Sequence, residues 1–211
     1  MATQRRFGAV RRVLRRRTPL VVLPLVVLLA TSGLVGARLL FAEPQSADAT
    51  APSSVCWDGS EVADLSSCAR PKGVRGLRWV FPSFSPRGDS CQDVRTGERG
   101  SGRPTVWMCD FEIAGSPVTI TYSELRSVAG GRAAFDEEYA GSERSTVEAS
   151  DGTPLRHEWR RELPGGTGYA VTAMYVGHPY AVQVVAERKV LREDALASTV
   201  RFRAPGSLGR P

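Results

Sequence analysis

His157 and His178 are the only imidazoles in this 211-residue chain, and the first candidates for acid–base or metal chemistry. His157 stands in an alternating segment and His178 in a Gly-His-Pro turn. A metal needs three or four converging ligands, and no His-x-x-x-His or acidic cluster surrounds either residue. No Gly-x-Ser-x-Gly elbow exists, because Gly100-Ser101-Gly102 lacks the strand such an elbow follows. Asp136-Glu137-Glu138 puts three carboxylates in a row, but neighbours on a helix splay around its axis and read as a solvated face. Gly165-Gly166-Thr167-Gly168 leads into a strand, so it cannot hold a phosphate at a helix N-terminus. The sequence therefore offers no catalytic constellation, no metal site and no cofactor site. If the protein is an enzyme, the expectation is a small hydrolase with scattered residues near His157.

Binding is better served. Arg156, Arg160 and Arg161 form a small basic spot that could take an anion, although Glu158 and Glu162 beside them also suit ordinary strand pairing. Trp57, Trp79, Trp107 and Trp159 are aromatic anchors of the kind that dominate contact surfaces. The expected ligand contacts are Trp57, Trp159, Arg156 and Arg160.

Cys56, Cys68, Cys91 and Cys109 are the only cysteines. An even count in an oxidising compartment reads as two disulfides. Three pairings are open, and Cys56–Cys68 with Cys91–Cys109 is favoured because each closes a short local loop. Zinc is the alternative, but the close Cys-x2–4-Cys knuckles of zinc sites are missing. The Cys-x-x-Cys of redox enzymes is missing too.

The elements that would carry these residues divide sharply. Residues 19–42 are apolar, with a single charge at Arg38. A helix over residues 20–37 is about 27 Å long, close to the hydrocarbon thickness of a bilayer, and is expected to span it. Before it, residues 1–18 hold seven arginines and no acid, which places this arm in the cytoplasm and the remainder outside. The alternative is a cleaved signal peptide, with small-x-small sites at Val35-Gly36-Ala37 and Ala47-Asp48-Ala49, but the apolar run is long for one. The chain is +6 overall and residues 1–42 contribute +8, so residues 43–211 sum to −2. The outer part thus lacks the basic excess that nucleic-acid binding needs. Only two Lys and no Asn among 28 basic residues and 211 positions suggest a GC-rich bacterial genome.

Residues 43–54 are rich in Pro, Ala, Ser and Thr and read as a flexible linker. Residues 55–205 are expected to fold, and residues 206–211 to fray as a disordered tail. Within the fold, residues 76–82 read as a short strand and residues 89–102 as a polar loop tied at Cys91. Residues 105–113 and 117–125 alternate around Ala114-Gly115-Ser116, a hairpin. Residues 130–140 change to helical period, with Phe135 and Tyr139 spaced i, i+4. A second hairpin turns at Asp151-Gly152, and residues 169–176 and 180–186 are the apolar strands expected at the sheet centre. A helix over 191–197 and a strand over 200–203 close the chain. The expected class is α+β: an antiparallel sheet of about seven short strands, two helices on one face, preceded by one transmembrane helix.

Cys56-Trp57-Asp58-Gly59, then Cys68, Pro71 and Gly73, then the run Gly76-Leu77-Arg78-Trp79-Val80-Phe81-Pro82, resemble extracytoplasmic domains of actinobacterial single-pass membrane proteins. Some of these are the outer modules of receptor-type serine/threonine kinases, and residues 191–205 resemble their terminal helix and strand. The resemblance covers residues 55–205 and implies a compact α+β fold similar to the photosystem-II-P-protein type, without a common catalytic site. The arm of 18 residues has no Gly-rich loop, His-Arg-Asp or Asp-Phe-Gly, so the kinase activity is not implied. The expectation is a membrane-anchored, extracytoplasmic binding or sensing domain of the bacterial cell envelope. Its partners would be the lipid bilayer, through residues 19–42, and an unknown envelope protein or ligand. A structural accessory of an envelope complex is a further alternative.

Overall fold

The computed structural model describes residues 53–86, 90–94, 103–142 and 144–210. The arm 1–18, the apolar run 19–42 and the linker up to residue 52 lie outside the described residues, and the expected membrane helix lies there with them. Among the described residues no helix is long and apolar enough to cross a membrane.

The domain is α+β. A small ladder pairs β1 (Ser54–Val55) with β2 (Glu61–Val62). The main sheet has seven antiparallel strands: β3 (Cys91–Asp93), β4 (Thr105–Ile113), β5 (Ser116–Glu124), β6 (Arg144–Glu148), β7 (Pro154–Glu162), β8 (Tyr169–Tyr175) and β9 (Tyr180–Ala186). Their spatial order is β3-β4-β5-β9-β8-β7-β6, so β9 is central and β8 lies beside it. Both strands are rich in Val, Ala and Tyr and are buried along almost their whole length, as strands covered on two faces must be. The β4–β5 hairpin turns at Ala114-Gly115, whose φ values of 50° and 71° give the left-handed pair that matches hairpin twist.

Among the described residues three α-helices complete the fold: α1 (Gly73–Val80), α2 (Val128–Glu138) and α3 (Lys189–Asp194). They lie on both faces of the sheet, not on one as the sequence suggested. Leu77 and Val80 of α1 and Leu191 of α3 pack with Val118, Ile120, Val171, Val182 and Val184. Phe135 of α2 and the adjacent Tyr139 pack with Leu125, Trp159, Met174 and Ala181, which alternate onto the opposite face. Gly131 lets α2 approach closely: a Cβ there would stand 2.5 Å from Leu125 Cδ1. Ser127 caps α2, its Oγ accepting the Gly130 N–H at 3.1 Å.

Five local expectations are corrected. Residues 76–82 are mostly α1 rather than a strand, because Val74, Leu77 and Val80 share a helical face that the sheet covers. Residues 91–93 form β3 inside the segment read as a loop, held by pairing of Cys91 with Cys109 across the ladder. Residues 200–203 form no ladder; the Arg203 N–H donates to Val80 O at 3.0 Å. The expected tail is packed: Leu208 is buried in the main core, and the Arg210 N–H donates to Cys68 O at 3.1 Å. The helix expected over 191–197 starts at Lys189 and runs into one wider turn, Ala195–Thr199.

Candidate functional site

Cys56 joins Cys68, and Cys91 joins Cys109; among the described residues no cysteine is free. The first link folds the β1–β2 ladder against the segment leading into α1, and the Trp57 indole N–H donates to Ala69 O at 2.9 Å. Thiols paired in this way belong to an oxidising, extracytoplasmic environment.

The four expected contacts do not converge. Trp159 is 1% exposed beneath α2, and its indole N–H donates to Asp136 Oδ1 at 2.9 Å. It is core, because alternation along β7 puts it on the face that α2 covers, and this removes it as a ligand contact. Arg156 and Arg160 point to the opposite face of the same strand. Arg156 Nε donates to Glu158 Oε1 at 2.8 Å, and its guanidinium lies 4.6 Å from the Phe202 ring centre. Trp57, in the turn between β1 and β2, lines a different cavity from Arg160.

Arg160 does border a cleft, of about 520 Å³, between β7, β8 and the start of α3. Arg160, Arg161, Lys189 and Arg192 line it against one carboxylate, Glu162. Carboxylates just behind them answer most of this charge. Arg160 Nε donates to Glu193 Oε1 at 3.0 Å and its Nη2 to Glu158, while Arg161 reaches Glu138 Oε1 at 3.2 Å. Burial works against the Arg160 charge, but its bonds to Glu193 and Glu158 outweigh this and hold the guanidinium above its ordinary pKa. Burial likewise opposes the Glu193 charge, and Arg160 and Arg192 outweigh it to hold that carboxyl low. Arg192, 2% exposed, donates to Ala170 O and Glu193 and leaves Nε without a partner. Lys189 has no carboxylate partner among the described residues. The cleft can attract a small anion, with Lys189 as its least neutralised cation.

His157 lies on the α2 face near the sheet edge, where its Nδ1 is 3.0 Å from Thr146 Oγ1. Burial, then Arg144 and Arg132, push its pKa below the usual imidazole value, so the ring is neutral near pH 7 and can accept from the hydroxyl. Neither residue lines any of the four cavities described for this domain. Among the described residues no set of three His, Cys, Asp or Glu is placed to hold a metal ion. His178 is buried in the β8–β9 turn, edge-on to Tyr175 with ring centres 6.2 Å apart, and its Nδ1 has no hydrogen-bond partner among the described residues.

Several site residues escaped the sequence reading. Lys189 and Arg192 carried no signal beyond helical spacing. Arg75 and Arg78, three residues apart, are exposed on α1, with exposed Lys72 just before it, but that spacing has meaning only once the segment is known to be helical.

Fold and cleft together define an α+β, disulfide-linked domain with a polar cleft at one end of its sheet. Comparison with protein families, with curated proteins and with solved structures finds no match.

Proposed function

We propose that this chain is a membrane-anchored, extracytoplasmic binding or sensing protein of the bacterial cell envelope, acting without catalysis. The carrying observation is that all four cysteines of the domain are joined in pairs, while the sequence before it supplies an apolar run and a basic arm. In this reading residues 19–42 cross the bilayer, the arm 1–18 stays in the cytoplasm, and the domain is presented outside. The basic cleft at Arg160 and Lys189 is where a small acidic group of a ligand or envelope partner would dock.

Cross-linking in intact cells, with alkylation of free thiols on each side of the membrane, tests this. The expected result is a domain whose cysteines resist alkylation until reduced, and a captured envelope partner lost on Lys189→Glu. Free thiols on a cytosolic form would sink the reading. A small hydrolase is the second reading, favoured by the 3.0 Å contact of Thr146 with His157. Any hydrolytic activity that survives His157→Ala unchanged rules that site out.

A further inference from the structure

A second cavity, of about 320 Å³, lies between α1, the β1–β2 ladder and the extended segment after α3. Its lining includes Trp57, Trp79, Arg75, Arg78 and Arg203 and no carboxylate. That is an unusual place to gather three cations, because residues 43–211 as a whole are −2. Arg75 and Arg78 are exposed, and so is Lys72, the extended residue just before α1. Asp58 is within electrostatic reach of Arg75, but its Oδ1 already accepts the Ser60 N–H and hydroxyl. Arg203 is fixed from behind: its guanidinium lies 3.8 Å from the Trp79 ring centre, and its Nε donates to Trp79 O. Both indole N–H groups are used internally, Trp57 on Ala69 O and Trp79 on Ser207 O, so their half-buried rings add only apolar surface to the cleft. Val55, two residues before Trp57, is one of only two large hydrophobic residues left exposed among the described residues, at 53%.

This is the part of the domain nearest, along the chain, to the apolar run. Eleven residues lie between Ala42 and Ser54, a covalent reach of about 40 Å. We infer that the Trp57–Trp79–Arg75–Arg78 surface docks on the outer leaflet of the membrane that carries the chain, by binding anionic phospholipid headgroups. The inference rests on the membrane-anchored reading above. Arginine bonds phosphate oxygens through a planar fork of donors, and tryptophan settles at the level of the headgroups. Each basic residue near an anionic surface raises the docked-to-free ratio about fivefold. The domain would then lie against the bilayer with the Arg160 cleft at another part of its surface, instead of swinging freely on its linker.

The test uses the full chain reconstituted in vesicles of phosphatidylcholine alone or mixed with phosphatidylglycerol, with brominated acyl chains as tryptophan quenchers. Quenching is expected in the anionic vesicles, and its loss in neutral vesicles and in the Arg75→Glu/Arg78→Glu double variant. Those side chains are exposed, so near-UV circular dichroism should show an unchanged fold. Trp57→Phe should remove part of the quenching, while Trp159→Phe, at a buried indole, should remove none. Equal quenching in neutral vesicles, or quenching that persists in the double variant, overturns the inference. So does inorganic phosphate that abolishes quenching where chloride of equal ionic strength does not, since the cleft would then take a soluble anion. A chain that survives an alkaline carbonate wash but is never quenched overturns the docking and leaves the anchor standing. A chain that washes off every vesicle overturns both.

Discussion

Glu124 and Gly73 stand 51 residues apart in the chain, and the Glu124 carboxylate accepts the Gly73 N–H at 2.9 Å. The same oxygen accepts the Thr105 hydroxyl at 2.9 Å, and Arg70 approaches the other at 3.9 Å. One carboxylate, 3% exposed at the end of β5, therefore ties the entry of α1 to the β4–β5 hairpin. An ionised group so deep is tolerable only because donors surround it.

Glu124→Ala strips the acceptor from two of these donors and should destabilise the domain by about 3 kcal/mol. Glu124→Gln keeps one carbonyl oxygen and should lose less. Urea unfolding of both variants measures the difference; equal midpoints for Ala and wild type would disprove the role.

The C-terminal segment is predicted to be structural. Leu208 is 1% exposed within the main core, so Leu208→Ala should cost about 2–4 kcal/mol. A chain ending at Ala204 also loses the Trp79–Ser207 and Arg210–Cys68 bonds and should melt lower still. A truncated chain with an unchanged Tm would mean that the segment only rests on the surface.

Stability should fall on mild acidification. Burial pushes His178 below its ordinary value of 6.5, although the nearby Pro205 backbone works the other way; burial also lowers His157. Between the folded and unfolded values the unfolded chain holds protons that the folded chain does not, so stability rises with pH through that window and levels off above 6.5. Tm should drop between about pH 7 and pH 5, and His178→Gln should flatten part of the slope. An identical slope in that variant would assign the effect elsewhere.

Each disulfide closes a loop of modest length, with separations of 12 and 18 residues, and each should contribute about 3 kcal/mol. Cys91→Ser/Cys109→Ser should expose β3 first, because this edge strand pairs with one neighbour, β4, and loses its covalent tie to it. Hydrogen exchange at residues 91–93 reads this directly; protection equal to wild type would show that the link is dispensable there.

Both hairpins were legible from residue order because a strand's period is two and its turn is local. Thr105 to Ile113 alternate, Ala114-Gly115 accept positive φ, and the partner strand follows at once. The favoured disulfide pairing matched for a similar reason, since short loops close at small entropic cost. Residues 76–82 misled because Leu77, Trp79 and Phe81 alternate like a strand while Leu77 and Phe81 are also spaced i, i+4. Residues 200–203 misled because Val200 and Phe202 alternate, yet a strand exists only when a neighbour offers a ladder.

Residue order by itself determined that this protein has an apolar run, a basic arm, four cysteines and a nearly neutral remainder with strands of period two. Those are properties of composition and of neighbours a few positions apart. Tertiary structure alone decided that α2 covers the opposite face from α1 and α3, that Trp159 is core while Arg160 borders a cleft, and that three arginines meet two tryptophans around α1. Amphipathic spacing says that an element has an apolar side. Which surface meets that side depends on packing between residues far apart in the chain, and no local pattern encodes it.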